Sequence, residues 1–190
     1  MQLHKRDVVE AAASLLDAYG IADLTMRRLA RELAVSPGAL YWHFANKQQL
    51  LGAVADHILP AFDNVTGNWQ QRVGVICHRL RNALLSHTDG AELVSASFAA
   101  GQSVTMGDLL TLLDRAAGEA GVSPAHTELA ARTVVYYVLG FTADEQSRMQ
   151  WDAAGAEVAQ TVWAEDPTAR FGFGLQLLVD GIAVHSRVRT

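Results

Sequence analysis

The chain has 190 residues, half of them hydrophobic, and a formal net charge of −5. That length allows one large or two small domains with a sizeable core, and no apolar run approaches the ~20 residues of a membrane span. The opening MQLHKRDVVEAAASLL interrupts its apolar pattern with charges, unlike a signal peptide, and the single cysteine, Cys77, excludes an internal disulfide and fits a reducing cytoplasm.

The acidic balance argues at first against a nucleic-acid partner. It is unevenly spread, however. Residues 1–50 carry six Lys/Arg against five Asp/Glu, whereas residues 51–190 carry nine against fifteen.

In chain order, Val8, Ala12, Leu15, Leu16 and Tyr19 recur at the spacing of one buried helical stripe, and Gly20 follows as a left-handed stop. A second helix is predicted from Thr25 to Leu33. Met26, Leu29, Ala30 and Leu33 lie on its apolar side, and Arg27, Arg28 and Arg31 on its wet side. The stretch AVSPG then interrupts. Ser36 is suited to cap a short third helix that starts at Pro37 and reaches about His43. Asn46 caps a fourth, from Lys47 to about Ile58, before Pro60. Two short helices joined by a tight turn, braced on both sides, predict a helix-turn-helix.

Further helices are predicted over 69–87, 91–99, 103–119, 124–149, 155–163 and 168–187. Ser123-Pro124 and Asp166-Pro167 read as helix starts, and Gly90, Gly101 and Gly121 as breaks. There is no strand alternation of useful length and no repeat. The fold class is all-α.

The segment SPGALYWHFANK, Ser36 to Lys47, places Tyr41, Trp42 and His43 side by side. Consecutive helical residues point about 100° apart. If Leu40 and Phe44 share the core side, Tyr41 and His43 point elsewhere, with Trp42 between them. Exposed rings on a short helix with a small first turn (Ser36, Gly38, Ala39) suit the major groove of DNA. Lys47 and the free N–H groups at the start of the fourth helix suit a phosphate, and Arg27 suits a base edge.

The longer stretch LTMRRLARELAVSPGALYWHFANKQQLL, Leu24 to Leu51, resembles the DNA-binding domain of the tetracycline-repressor (TetR) family. ALLSHTDGAEL (Ala83 to Leu93), VLGFTADEQ (Val138 to Gln146) and ARFGFGLQLLVDGI (Ala169 to Ile182) resemble the ligand-binding core of the tetracycline repressors. The resemblance implies a DNA-binding domain over residues 1–47, a ligand-binding and dimerisation domain over 48–190, and a homodimer closed by the last two long helices. Leu175, Leu178, Val179 and Ile182 form an apolar stripe for that closure, with Gly172 and Gly174 allowing a neighbour to approach. The same stripe could instead face its own subunit. Two heads on a two-fold axis imply a palindromic double-stranded DNA operator.

Carried over by position, the family's DNA contacts fall on Thr25, Met26, Arg27, Pro37, Gly38, Ala39, Tyr41, His43 and Lys47. The tetracycline repressors have glutamine where this chain has Pro37 and proline where it has Gly38. The resemblance therefore implies a different operator.

In the family the core holds a small-molecule effector that lowers DNA affinity. The residues expected to line such a site are Phe62, Asp63, Ile76, Leu80, Val94, Ser97, Phe98, Met106, Tyr137, Phe141 and Asp144, with Tyr136 and Trp163 as further aromatic candidates. The magnesium-liganding histidine of the tetracycline repressors corresponds to Val94, which coordinates nothing. The expected effector is mostly apolar or aromatic, with no metal and no cofactor.

Other constellations carry less. Cys77, His78 and His87 do not converge as zinc ligands. Arg79, Arg81 and Arg115 read as surface or interface charges. Ser86, His87 and Asp89 lack a nucleophile elbow and read as capping a helix end. The expectation is therefore a ligand-responsive transcriptional regulator, most simply a cytoplasmic repressor, with no membrane partner and no enzymatic activity. The alternatives are a helical small-molecule-binding or protein-partner-responsive module without effector-induced release, and a small helical enzyme.

Overall fold

The computed structural model describes residues 3–155 and 166–187. The described residues form helices α1 (Lys5–Tyr19), α2 (Met26–Glu32), α3 (Pro37–Tyr41), α4 (Lys47–Ile58), α5 (Trp69–Leu85), α6 (Gly90–Ala99), α7 (Val104–Glu119), α8 (Thr127–Ala153) and α9 (Pro167–Arg187), with no strand among them. The all-α expectation is met. The helix expected over 155–163, and Trp163 within it, fall on residues 156–165 outside the described set, apart from Gly155 in a turn.

Local chemistry sets the helix ends. Asp7 accepts a hydrogen bond from the His4 N–H at 3.0 Å, at the start of α1. Gly20 ends the helix at φ 78°, donating to the Leu16 carbonyl at 2.7 Å. Thr25, Ser36 and Asn46 cap α2, α3 and α4 by accepting from the backbone N–H of Arg28, Ala39 and Gln49. Helix α8 starts at Thr127, three residues beyond Pro124. There Ser123 directs its hydroxyl to the His126 ring at 2.9 Å, and the His126 N–H closes a turn on the Ser123 carbonyl at 2.8 Å.

The chain divides into two compact units. The first holds α1–α4, α6 and the parts of α5 and α7 between residues 82 and 107; the second holds the rest of α5 and α7 with α8 and α9. In the first unit Val8, Ala12, Leu15 and Leu16 of α1 are buried with Leu29, Leu40, Phe44, Leu50 and Val54. Tyr19, read from its spacing as part of this stripe, is instead exposed, and the Arg28 guanidinium lies over its ring at 3.9 Å. It occupies the last turn of α1, where the stripe runs out of core to cover it.

In the second unit Phe171 is fully buried at the start of α9. Tyr137 stacks on it at 5.5 Å, and Phe141 and His78 meet it edge-on at 5.4 and 5.1 Å. The Tyr137 hydroxyl donates to the Phe171 carbonyl at 2.8 Å. A Cβ at Gly174 would stand 2.2 Å from that hydroxyl, so Gly174 serves the chain's own helix packing and not the approach of a neighbour. Leu175 and Val179 are buried in their own unit as well. The outward stripe of α9 is Phe173, Leu177 and Val184.

Replacing Phe44 with alanine is expected to cost ~3–5 kcal/mol of unfolding free energy by urea titration, because the ring is 1% exposed and its removal leaves a cavity.

Candidate nucleic-acid interface

Five residues cannot hold a helix by propensity alone. Helix α3 exists because Ser36 caps it, Pro37 pre-sets its first turn, and Leu40 and Phe44 are sunk in the core at 0% and 1% exposure. That anchoring turns the intervening rings outward. Tyr41 is 51% exposed and Trp42, which closes α3, is 91% exposed; His43 is half-buried. A tryptophan so far from any core has no packing reason to be there, and the sequence reading had passed over it as a contact.

The remaining predicted contacts surround this tip unevenly. Arg27 is exposed, and neither it nor Arg31 nor Lys47 joins an ion pair among the described residues. Arg28, by contrast, is held between Asp23 and the Tyr19 ring. Of the three basic residues on α2, Arg27 and Arg31 are thus available for a phosphate or base. The Thr25 hydroxyl accepts the Arg28 N–H at 3.1 Å. The Met26 side chain, expected among the contacts, is buried and completes the apolar face of α2. Pro37 and Gly38 are exposed and Ala39 half-buried. A Cβ at Gly38 would meet only the Ser36 hydroxyl at 3.8 Å, so the fold itself does not require glycine there. Lys47 opens α4 beside the Asn46 cap.

The residues expected to line an effector site are divided between the units. In the first unit Val94, Ser97 and Met106 are buried and Phe98 is half-buried. The Ser97 hydroxyl has no hydrogen-bond partner among the described residues. In the second unit Phe62, Ile76 and Leu80 are buried, and Tyr137 and Phe141 belong to the Phe171 cluster. Asp63 and Asp144 are exposed, and Asp144 pairs with Arg148 one turn on at 3.3 Å. Tyr136 is exposed as well.

Two weaker readings are also revised. Arg81 is not a surface charge like Arg79 and Arg115. It is 4% exposed and bridges both Glu145 carboxylate oxygens, Nε at 2.9 Å and Nη2 at 2.6 Å. Burial, helped by the Arg81 charge, pushes the His78 imidazole below its usual range. Cys77 is buried, its thiol pushed up to about 12 by desolvation, and no group of three metal-ligating residues occurs among the described residues. His87 and Asp89 do more than finish a helix: the His87 ring lies 3.1 Å from Asp17, and Asp89 accepts the Ile21 N–H at 2.9 Å.

A capped, proline-started helix with outward rings, next to unpaired arginines, is the arrangement of a DNA-reading head. Comparison with known proteins agrees. A family model described as bacterial regulatory proteins, tetR family, matches residues 8–54, and one described as tetracyclin repressor-like, C-terminal domain, matches 59–186. The chain belongs to the TetR family. The tetracycline repressor protein class A from transposon 1721 of Escherichia coli is 32% identical, covering 96% of this chain and 91% of the relative. Among solved structures, Mycobacterium smegmatis BioQ is 63% identical with a TM-score of 0.88, covering 96% of this chain and 99% of that one. A crystal structure of BioQ with its double-stranded DNA operator is 61% identical over the same shares, with a TM-score of 0.84. This TetR-family chain is a transcriptional regulator with a helix-turn-helix head. No helix among its described residues is long and apolar enough to cross a membrane.

Cys77 of this regulator is expected to resist alkylation by iodoacetamide at pH 8 in the folded state and to react fully in 6 M guanidinium, because a thiol held near 12 offers almost no thiolate at pH 8. Mass spectrometry of the labelled chain checks this.

Proposed function

We propose that this chain is a homodimeric repressor that binds a palindromic operator and is released by a small, mostly apolar or aromatic effector. The observation that carries the DNA reading is the outward tip of α3, where Tyr41 and Trp42 stand exposed over a core anchored by Leu40 and Phe44. The operator complex of the BioQ relative supports it. In this reading residues 1–47 form the DNA-binding part and residues 48–190 the effector-binding and dimerisation part. Arg27 reads a base edge. Tyr41, His43 and Lys47 hold phosphates or sugar edges, Trp42 packs beside them, and Thr25, the Met26 backbone, Pro37, Gly38 and Ala39 fit the groove wall.

Dimerisation rests on the outer face of α8 and α9. Leu129 and Tyr136 on α8, and Phe173, Leu177 and Val184 on α9, are each more than half exposed. Between them an open groove of about 550 Å³ is lined by Leu129, Thr133, Leu177, Gly181 and Ile182. A Cβ at Gly140 or Gly181 would meet nothing within 4 Å of its own chain. A helical glycine costs roughly 1 kcal/mol against alanine. Two of them on an exposed apolar face fit the close approach of a second copy.

The effector reading rests on buried apolar residues together with the unmatched Ser97 hydroxyl. A buried hydroxyl without a partner costs about 1–3 kcal/mol, which a bound molecule can restore. Val94 in place of a histidine leaves no ligand for magnesium there.

Operator affinity is expected to fall steeply with salt, because phosphate contacts release counterions. Arg27→Ala should lose ~1–3 kcal/mol concentrated at one base pair, read by binding to single-substituted duplexes. An equal loss on every sequence would instead make Arg27 a phosphate contact. Leu177→Asp should yield monomers in sedimentation velocity and abolish binding to the full palindrome while leaving the head folded. A dimeric Leu177→Asp protein would overturn the assigned interface.

A further inference from the structure

The charges of residues 1–50 are unequally engaged. Six lysines and arginines stand there against five carboxylates. Four of the carboxylates are occupied. Asp7 accepts the His4 N–H, Glu10 pairs with Arg6 at 3.4 Å and Asp23 pairs with Arg28. Asp17 accepts the Thr88 N–H at 3.2 Å and faces the His87 ring. Of the six cations, Lys5, Arg27, Arg31 and Lys47 join no ion pair among the described residues. Arg27 and Arg31 stand on α2, and Lys47 opens α4. Lys5, the fourth, comes from outside the helix-turn-helix: it is the first residue of α1.

Lys5 is exposed, yet the fold gives it a definite seat. Its ammonium lies 4.9 Å from the centre of the Phe44 ring, the buried anchor that follows Tyr41, Trp42 and His43. A cation over an aromatic face is attracted by the ring quadrupole, and a lysine stem covers apolar surface while its charged end stays in water. A lysine of α1 is thereby held at the end of the α3 tip. Lys47 follows Phe44 by three residues, so their Cα atoms are at most ~11 Å apart. Lys5, Phe44 and Lys47 belong to one compact unit. Two helices thus begin with an unpaired lysine near the same anchor. Each DNA strand carries one phosphate per ~3.4 Å of axis, so two such cations meet separate phosphates.

Resting on the DNA-reading head above, we infer that Lys5 is a further phosphate contact, made by α1 in addition to the contacts of α2, α3 and α4. It reads no base. A lysine is a compact charge on a flexible stem, which suits a phosphate oxygen better than the fixed pattern of a base edge. Its seat beside Phe44 ties the start of α1 to the same duplex that the α3 tip enters. A lysine that only covered Phe44 would support folding and leave the salt dependence of DNA binding unchanged.

The test uses the full chain, an operator selected by the wild-type protein from a random duplex library, and an unrelated duplex of equal length. Lys5→Met keeps an unbranched stem over Phe44 and removes the charge, whereas Lys5→Arg keeps the charge. Affinity is titrated between about 50 and 200 mM salt, and the urea midpoint of each protein is recorded. One phosphate contact contributes about 0.9 to the slope of log affinity against log salt. Lys5→Met should flatten the slope by about 0.9 and weaken binding about eightfold at ~0.1 M salt, equally on both duplexes. Its line should rejoin the wild-type line as salt approaches about 1 M. Lys5→Arg should keep the wild-type slope, and the urea midpoints should agree. Lys5→Gln, equally neutral, covers the case in which Lys5→Met does not fold. A wild-type slope in the neutral variants overturns the inference; combined with a lower urea midpoint, it would assign Lys5 to packing over Phe44. A loss confined to the operator also overturns it, by making Lys5 a base reader. A wild-type protein that enriches no duplex from the library would bring down the DNA reading of the head itself.

Discussion

The outward tip of the helix-turn-helix head depends on a five-residue helix that could not stand by itself. Leu40 and Phe44 are pinned in the core of the first unit, and that burial, with the Ser36 cap and Pro37, holds the α3 tip in shape. The cost of displaying a nearly bare tryptophan and a half-bare tyrosine is met by apolar burial one or two residues before and two or three residues after. The anchor and the exposed rings belong to the same short segment seen from two sides, so any change that loosens the anchor displaces the rings.

The second unit shows the same economy with different chemistry. Phe171 gathers Tyr137, Phe141 and His78 around its ring, and Arg81 lies over it at 5.2 Å while gripping Glu145 with two hydrogen bonds. A guanidinium buried this far is tolerable because its charge is matched by a carboxylate and its flat face by an aromatic ring. Removing Glu145 alone would leave an uncompensated buried cation. The pair fixes how α5, α8 and the start of α9 lie together, and Tyr137 threads its hydroxyl into the notch at Gly174. Aromatics that could have lined a ligand site are thus also structural joints. A molecule touching Tyr137 or Phe141 would press on the packing of α9.

Carboxylates recur as fasteners. Asp17, Asp56 and Asp89 each accept backbone N–H groups from a segment far away in sequence, at places where a glycine removes the side chain that would keep the segments apart.

Much of this was legible from residue order alone. Helix positions follow from apolar spacing, and their ends from Gly20, Thr25, Ser36, Pro37, Asn46 and Asp166, because caps and breakers act on their own neighbours and need no tertiary partner. The same local logic placed Leu40 and Phe44 inside and Tyr41 outside. What the order of residues could not decide was which polar group finds which partner across the chain. Arg28 and Arg27 are adjacent and chemically identical, yet one is spent on Asp23 and Tyr19 and the other is free. Arg81 looked like a surface charge until Glu145 met it 64 residues away. Leu175 and Val179 looked like an interface, and the packed structure turned them inward and Phe173 and Leu177 outward. Periodicity says that a stripe is buried but not against what, and only the three-dimensional fold brings the second surface to it.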